Sequence, residues 1–291
     1  MIPPPAARFC VIGGDGLIGA ALCDDLRLQG QSAIASTRRA PIDAKQQFFL
    51  DLQGDPEHFR LPEADVVVLT ASMTRLAECR ANPADAWRAN VDAQLRLAEE
   101  AVRRGAFVVF LSTNQVFDGM RPGMKPDTPM SARSVYGKLK AEAETRLLAL
   151  GESVCVVRLS KVIAPRLQLF AHWRRDLSNG GAIVAFDDLV MAPIAISKVV
   201  AGIERLGRAR ANGVWHLGGR EDMSYVAAGR RIAWRLGVDQ DLVRVASAAQ
   251  AGIPEEERPP HTVLAPGDIE KATGVEIADA ETELDIGLGF T

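Results

Sequence analysis

The stretch that decides the fold is RFCVIGGDGLIG, residues 8–19. Its first five residues are mostly apolar and predict a short buried strand, whereas the residues that follow it carry apolar side chains at helical spacing. Between the two, Gly13, Gly16 and Gly19 form a GxxGxxG pattern. Glycine lets the backbone approach a diphosphate closely, and the helix dipole favours the anion. A strand, a glycine-rich turn and a helix N-terminus in this order predict a dinucleotide-binding site.

Strand and helix patterns alternate from this stretch up to residue 160. Further strands are predicted at residues 32–36, 47–50, 65–70, 108–111 and 153–159. A long helix is predicted at residues 83–104, with a core-facing stripe of Trp87, Val91, Leu95, Ala98 and Val102. This alternation predicts an α/β fold with a doubly wound parallel sheet, a Rossmann domain.

After Ser160 the regular alternation stops, and prolines and glycines separate shorter pieces. We therefore expect a cofactor-binding domain over residues 1–160 and a smaller substrate-binding region over residues 161–291. Within the second part, a helix at 197–206 and a strand at 213–217 are expected to return to the first sheet. The segment 252–266 reads as a loop, and its acidic run 255–257 as a solvated face.

The end of the second strand, Ser36-Thr37-Arg38-Arg39, bears on the choice of cofactor. A dinucleotide site for NAD carries Asp or Glu there to bind the ribose hydroxyls, and none is present. Two arginines and two hydroxyls suit a 2′-phosphate instead, so NADP is favoured over NAD. The alternative is a pair of solvated arginines in a loop. The next strand end, Thr70-Ala71-Ser72, is expected to lie along the cofactor.

A second chemical centre lies in residues 108–141, VVFLSTNQVFDGMRPGMKPDTPMSARSVYGKLKA. Its strand ends in Ser112 and Thr113, at the edge where open α/β sheets bind ligands. Tyr136 and Lys140 follow on a helix, four residues apart and therefore on one face. An ammonium beside a phenol favours phenolate, so Lys140 is expected to lower the pKa of Tyr136 and make it a proton donor and acceptor. The alternative is a chance pair on an exposed helix face.

Composition excludes several other classes of function. The net charge is −3 and the basic pairs are scattered, so nucleic acid is not an expected partner. The four cysteines lie far apart, and neither they nor the histidines show metal-ligand spacing, which favours reduced, buried thiols and no metal. No apolar run approaches the ~20 residues that span a bilayer, and the start, MIPPPAARF, lacks the pattern of a secretory signal. A cytoplasmic protein is expected.

The motifs GGDGLIG, Thr113 and Tyr136-Gly137-Lys138-Leu139-Lys140 together resemble the extended short-chain dehydrogenase/reductase family. The blocks STNQVFDG, PDTP and SVYGKLKAEAE are similar, more narrowly, to the nucleotide-sugar branch that contains the dTDP-4-dehydrorhamnose reductases. The later segments VVRLSKVIAP and GVWHLGG fit as well. The resemblance therefore covers most of the chain and weakens after Ile163.

The resemblance implies roles for individual residues. Tyr136 would be the general acid/base, Lys140 would lower its pKa and hold the nicotinamide ribose, and Thr113 would hydrogen-bond the substrate oxygen. Asn90 corresponds to a helix asparagine with a structural role near the cofactor. The glycines would contact the diphosphate, and Asp51-Leu52 the adenine. The full set expected at the cofactor is Gly13, Gly16, Leu17, Ile18, Gly19, Thr37, Arg38, Arg39, Asp51, Leu52, Thr70, Ala71, Ser72, Asn90, Tyr136 and Lys140.

One departure from the branch is Asn114-Gln115, where relatives carry Asp-Tyr. Because of this difference, the sequence does not identify the sugar of the substrate, and it does not establish a metal-assisted dimer. The function expected is an NADP-dependent reductase of a keto-sugar nucleotide. Two alternatives remain: a nucleotide-sugar epimerase or dehydratase that retains its NAD(P), and a non-catalytic regulatory protein that keeps the fold and the cofactor. The resemblance also implies a homodimer.

Overall fold

A computed structural model describes residues 7–54 and 59–290. Most of the starting stretch MIPPPAARF, in which we expect no secretory signal, lies outside the described residues. Seven parallel strands form the central sheet, in the order β11-β6-β5-β4-β1-β2-β3. They are β1 (Arg8–Ile12), β2 (Ser32–Thr37), β3 (Gln47–Phe49), β4 (Val66–Leu69), β5 (Phe107–Thr113), β6 (Val154–Leu159) and β11 (Gly213–Leu217). The strand order reverses between β1 and β4, which is the crevice where such sheets bind dinucleotides. The predicted fold class is confirmed.

Helices cover both faces of this sheet. They are α1 (Leu17–Leu28), α2 (Leu76–Ala81), α3 (Pro83–Trp87), α4 (Ala93–Arg103), α5 (Val135–Leu148) and α7 (Ile196–Ala209). One buried core lies between the sheet and α1 and α7, and a second lies between the sheet and α4 and α5. The central strands β4, β5 and β6 are buried along their whole length, which explains why they read as continuous apolar runs.

The helix predicted over residues 83–104 is interrupted by a π-helical turn, Arg88–Asp92. This turn adds a residue to the helical repeat, so residues before it and after it do not keep one common face. Trp87 is consequently 38% exposed, and the predicted stripe is wrong at this position. Leu95 and Val102 are half-buried and pack against the core as predicted. The buried face of α4 consists of Ala93, Gln94, Leu97, Ala98 and Ala101.

The chain after residue 160 builds a third core, which lies beside the sheet. Its elements are β7 (Lys161–Ile163), α6 (Gln168–Ser178), β8 (Ile183–Phe186), β9 (Val190–Met191), β10 (Pro193–Ala195), β12 (Met223–Ser224), α8 (Tyr225–Leu236), β13 (Val243–Ala246), α9 (Ile269–Thr273) and α10 (Ala280–Leu288). Three pairs of short strands, β7 with β10, β8 with β13 and β9 with β12, hold these helices together. Within this part, α7 packs on α1 and β11 pairs with β6, so both lie against the Rossmann sheet.

Two loops are joined where the two parts of the chain meet. Gly119 O accepts a hydrogen bond from His261 N at 3.0 Å, and Met124 O accepts one from Ala265 N at 3.0 Å. Gly123 N also donates to Val263 O at 3.1 Å. The loop after β5 and residues 261–265 therefore form one paired unit at the carboxyl edge of the sheet.

The acidic run 255–257 is solvated at its first two residues, as expected, but its third residue is partly buried. It forms a 3₁₀ turn in which Glu257 pairs with Arg80 of α2 and Glu255 pairs with Arg133, just before α5. The Glu257 side chain is 12% exposed. The segment 252–266 is mostly irregular, as expected, but its glutamates contact two elements of the first domain, and the sequence alone does not bring those arginines near them.

The cysteines agree with the sequence-based expectation, since all four are free and buried. Within residues 7–54 and 59–290, no helix has the length and apolar character needed to cross a membrane. The same residues contain no group of three or more His, Cys, Asp or Glu side chains arranged to hold a metal ion.

Candidate active site

The glycine-rich turn is packed so tightly that Gly13 and Gly19 have no room for side chains. Gly13 adopts φ +102°, and a Cβ on it would lie 2.8 Å from the backbone nitrogen of Ala71. A Cβ on Gly19 would lie 2.1 Å from the carbonyl oxygen of Gly13. Thr70 Oγ1 donates to Ile12 O at 2.8 Å, which holds the end of β4 against the turn. The turn therefore leaves an open backbone surface at the start of α1, as a diphosphate requires.

The end of β2 lies beside this turn. Gly13 N donates to Ser36 Oγ at 2.8 Å, and Thr37 Oγ1 donates to Asp15 Oδ2 at 2.8 Å. Arg39 Nε lies 3.9 Å from the same Asp15 oxygen, and the Arg39 side chain is 79% exposed. Sequence reasoning did not single out Asp15, because a residue 22 positions before Thr37 shows no linear sign of lying next to it.

The predicted adenine residues lie one strand further out. Asp51 follows β3, and its Oδ1 accepts a hydrogen bond from Gln53 N at 3.1 Å and lies 3.7 Å from Arg38 Nη1. Leu52 packs against the core on the α4 side of the sheet. Leu17 and Ile18 form the first turn of α1, directly after the glycine-rich turn. The structure therefore places these residues along one edge, from the turn to the end of β3.

Asn90 is fully buried and shapes the segment that follows β4. Its Oδ1 accepts hydrogen bonds from Ser72 Oγ and Met73 N, both at 2.8 Å, and its Nδ2 donates to Met73 O at 2.9 Å. These bonds occupy the carboxamide, so Asn90 positions residues 72–73 and has a structural role in the site. The π-helical turn that carries Asn90 aims its side chain at this segment.

The helix α5, which carries Tyr136 and Lys140, begins directly against the strand end that carries Thr113. Ser134 Oγ caps the helix by accepting from Gly137 N at 3.0 Å, and it donates to Gln115 Oε1 at 2.9 Å. A Cβ on Gly137 would lie 2.1 Å from the carbonyl oxygen of Gln115. The close approach therefore depends on glycine at position 137, which the sequence reading did not single out.

Tyr136 is half-buried in an apolar cluster with Met73, Cys79 and Leu139. Burial raises the pKa of its phenol, with the Cys79 thiol adding to the effect and the Ser72 side chain opposing it. The expected lowering of this pKa by Lys140 is therefore wrong in the structure, because desolvation dominates. A phenol that stays protonated at neutral pH can donate its proton.

Lys140 is 2% exposed, and its Nζ lies 3.8 Å from the centroid of the Phe110 ring. It makes no hydrogen bond with any residue that the structure describes. Burial lowers the pKa of this amine to about 7, while Glu144, one turn further along α5, acts in the opposite direction. An amine without a hydrogen-bonding partner in this position is free to bind a hydroxyl.

Thr113, Asn114 and Gln115 form a local hydrogen-bonding network at the end of β5. Thr113 Oγ1 accepts from Gln115 N at 3.2 Å and donates to Asn114 Oδ1 at 3.3 Å. Asn114 Nδ2 donates to Thr262 O at 3.3 Å, which links the strand end to the C-terminal loop. Asn114 and Gln115 therefore connect three parts of the site, namely β5, α5 and residues 261–265.

A buried ionic network lies behind the site and was missed from the sequence. Arg158 Nη2 donates to Glu144 Oε2 at 2.7 Å, and Ser112 Oγ donates to the other carboxylate oxygen. Arg158 Nη1 also lies 3.2 Å from His216 Nε2 and donates to Pro126 O at 3.1 Å. Burial and the Arg158 charge lower the pKa of His216 to about 4, so its ring is neutral at pH 7. These residues come from β5, α5, β6 and β11, which only the folded sheet brings together.

The fold and the placement of Thr113, Tyr136 and Lys140 define an extended short-chain dehydrogenase/reductase. The profile of the family described as RmlD substrate binding domain matches residues 7–286, and the chain belongs to this family. This assignment confirms the resemblance drawn from the motifs.

Individual relatives are more distant. The chain is 26% identical over 251 residues to dTDP-4-dehydrorhamnose reductase of Mycobacterium tuberculosis, with 84% of this chain and 80% of the relative covered. It is 30% identical over 156 residues to methionine adenosyltransferase 2 subunit beta of Bos taurus, which covers 53% of this chain and 47% of the relative. The matched region thus spans about half the length of that relative. Among solved structures, dTDP-4-dehydrorhamnose reductase of Bacillus anthracis in complex with NADP superimposes with a TM-score of 0.80 at 18% identity, covering 98% of this chain and 99% of that one.

Proposed function

We propose that the protein is an NADPH-dependent reductase of a keto-sugar nucleotide. The observation that carries the proposal is the contact between the start of α5 and the end of β5, through Ser134 and Gln115. The helix α5 carries Tyr136, whose phenol pKa is raised by burial, and the buried Lys140, and β5 ends in Thr113. The name of the Mycobacterium tuberculosis relative supports a keto-sugar nucleotide as substrate.

The glycine-rich turn fits a dinucleotide, since it is closely packed at Gly13 and Gly19, carries no side chain at Gly13, Gly16 or Gly19, and leads directly into the first turn of α1. When bound, a nicotinamide cofactor supplies the hydride. Arg38 and Arg39 stand at the end of β2 and are mostly exposed, so both can turn towards a 2′-phosphate. The Bacillus anthracis structure with NADP is consistent with this choice.

Tyr136 donates its phenolic proton to the carbonyl oxygen of the substrate as the carbonyl carbon is reduced. Thr113 hydrogen-bonds the same oxygen and fixes its direction. Lys140, which has no hydrogen-bonding partner among the described residues, holds a ribose hydroxyl. General acid catalysis of this kind contributes about 10²–10⁴ in rate.

Two variants separate these roles. Tyr136→Phe removes the proton donor but keeps the ring, so cofactor affinity should be unchanged while turnover falls at least about 100-fold. Thr145→Val, on the exposed side of the same helix, is the matched control and should leave turnover unchanged. Turnover retained by Tyr136→Phe would contradict the proposed role.

A non-catalytic regulatory protein is the second candidate. It is consistent with the similarity to methionine adenosyltransferase 2 subunit beta, a relative named as a subunit of an enzyme rather than as a reductase. The presence of Thr113, Tyr136 and Lys140 favours the reductase instead. Purified protein that binds NADPH tightly but oxidises none of it with any keto-sugar nucleotide would support the regulatory function.

A further inference from the structure

Asp15 places a carboxylate at the end of β2, where the strand itself is not followed by an acidic residue. No Asp or Glu follows β2 directly, yet the fold brings the Asp15 carboxylate from the glycine-rich turn to the end of that strand. There its Oδ2 accepts a hydrogen bond from Thr37 Oγ1 at 2.8 Å. In dinucleotide sites of this fold, a carboxylate at the end of β2 binds the adenosine ribose hydroxyls.

The position of Asp15 is set by backbone contacts rather than by a flexible loop. Gly14 N donates to Ser36 O at 3.0 Å, and a Cβ on Gly14 would lie 2.5 Å from Ala35 Cβ. The turn and β2 are therefore in direct contact immediately before Asp15, and Thr37 holds the Asp15 carboxylate itself. Its side chain is 30% exposed, and its Oδ1 has no hydrogen-bonding partner among the residues that the structure describes.

The charges at this edge are nearly balanced. Arg39 Nε lies 3.9 Å from Asp15, and Arg38 Nη1 lies 3.7 Å from Asp51. A phosphate monoester carries about −1.5 to −2 charges at neutral pH, so a 2′-phosphate placed here meets two arginines that already face carboxylates. The attraction that the two arginines alone would give to NADPH is thereby reduced.

We propose that Asp15 is a specificity-determining residue of the cofactor site, which accepts hydrogen bonds from the ribose hydroxyls of NADH and opposes the 2′-phosphate of NADPH. The site then binds both cofactors, and the opposed charges of Asp15 and Arg39 set the preference between them. The inference rests on the proposed dinucleotide site. It adds that Asp15 limits the preference of this site for NADPH over NADH.

The test is a titration of the protein with NADPH and with NADH, followed by the fluorescence of its four tryptophans. Asp15→Asn keeps an oxygen for Thr37 and removes the charge, so the NADPH-to-NADH affinity ratio should rise about tenfold or more. Arg39→Gln should shift the ratio in the opposite direction. Asp24→Asn, which removes an exposed carboxylate on α1, is the control and should leave the ratio unchanged.

An affinity ratio in Asp15→Asn that stays within twofold of the wild-type ratio, in a variant with wild-type Tm, would overturn the role of Asp15 and leave the dinucleotide site intact. An Asp15→Asn variant that unfolds is replaced by Asp15→Ser, for which the same rise is expected. Wild-type protein that binds neither cofactor and carries none on purification would overturn the proposed site and this inference together.

Discussion

Replacing Arg158 by methionine should strongly destabilise the protein, because the substitution leaves Glu144 charged and buried. Glu144 is fully buried and Arg158 is 3% exposed. Three contacts to the carboxylate are lost, from Nε at 3.1 and 3.0 Å and from Nη2 at 2.7 Å, and only Ser112 remains as a donor. Breaking a buried ion pair on one side costs about 3–5 kcal/mol.

For a chain of this size, that loss corresponds to a fall in Tm on the order of 10 °C. The free energy of unfolding from urea denaturation and the Tm are both measured. In Arg158→Met/Glu144→Gln the stranded charge is gone and Ser112 keeps its acceptor, so the double variant should be more stable than the single one. Arg103→Met, which removes an exposed partner of Glu100, is the control and should cost about 0–1 kcal/mol.

Two results would refute this reasoning. One is an Arg158→Met variant that loses less than about 1 kcal/mol, which would mean that Glu144 is neutral or solvated without its partner. The other is a double variant less stable than Arg158→Met, which would mean that packing rather than charge dominates at this place.

Three further expectations concern the same region. Gly137→Ala puts a Cβ 2.1 Å from the Gln115 carbonyl oxygen, so α5 must shift. The free energy of unfolding measured by urea denaturation should fall by about 1–3 kcal/mol, and turnover should fall as well. Wild-type turnover in this variant would contradict the close contact. Burial lowers the pKa of Lys140 from 10.5 to about 7, so the unfolded chain binds more protons than the folded chain between these pH values. This residue therefore makes stability rise with pH. Lys140→Met should raise Tm most at pH 6 and progressively less towards pH 10, and a difference in Tm that does not depend on pH would refute this reasoning. The pKa of His216 is lowered from 6.5 to about 4, so its contribution to stability is lost as pH falls through that range; His216→Gln should show a weaker acid dependence of Tm, and an unchanged dependence would count against a buried neutral ring.

Much of the fold could be predicted because apolar runs and glycine-rich turns mark its central strands. The strand at 213–217 was found at its observed bounds, and the strand at 8–12 likewise. The π-helical turn could not be found, because a stripe read at 3.6 residues per turn gives no sign of an inserted residue. The short helix α2 was also missed, since six residues show too little periodicity.

The candidate site could be predicted where its residues are close in sequence. Tyr136 and Lys140 share a helix face, and their spacing shows it. Asp15 and the pair of Glu144 and Arg158 could not be found, since their partners come from other elements and only the packed sheet joins them. The predicted lowering of the Tyr136 pKa was wrong for the same reason, because the burial that raises this pKa is a property of the folded chain.

The most direct test of the proposed function is NADPH oxidation, followed by absorbance, with dTDP-4-dehydrorhamnose as substrate and wild-type and Tyr136→Phe proteins compared. Wild-type protein should oxidise NADPH only when the sugar nucleotide is present, and Tyr136→Phe should retain at most about 1% of that rate while binding NADPH normally. Equal rates in the two proteins would contradict Tyr136 as the proton donor. No oxidation by wild-type protein with this or any other keto-sugar nucleotide would contradict the reductase itself.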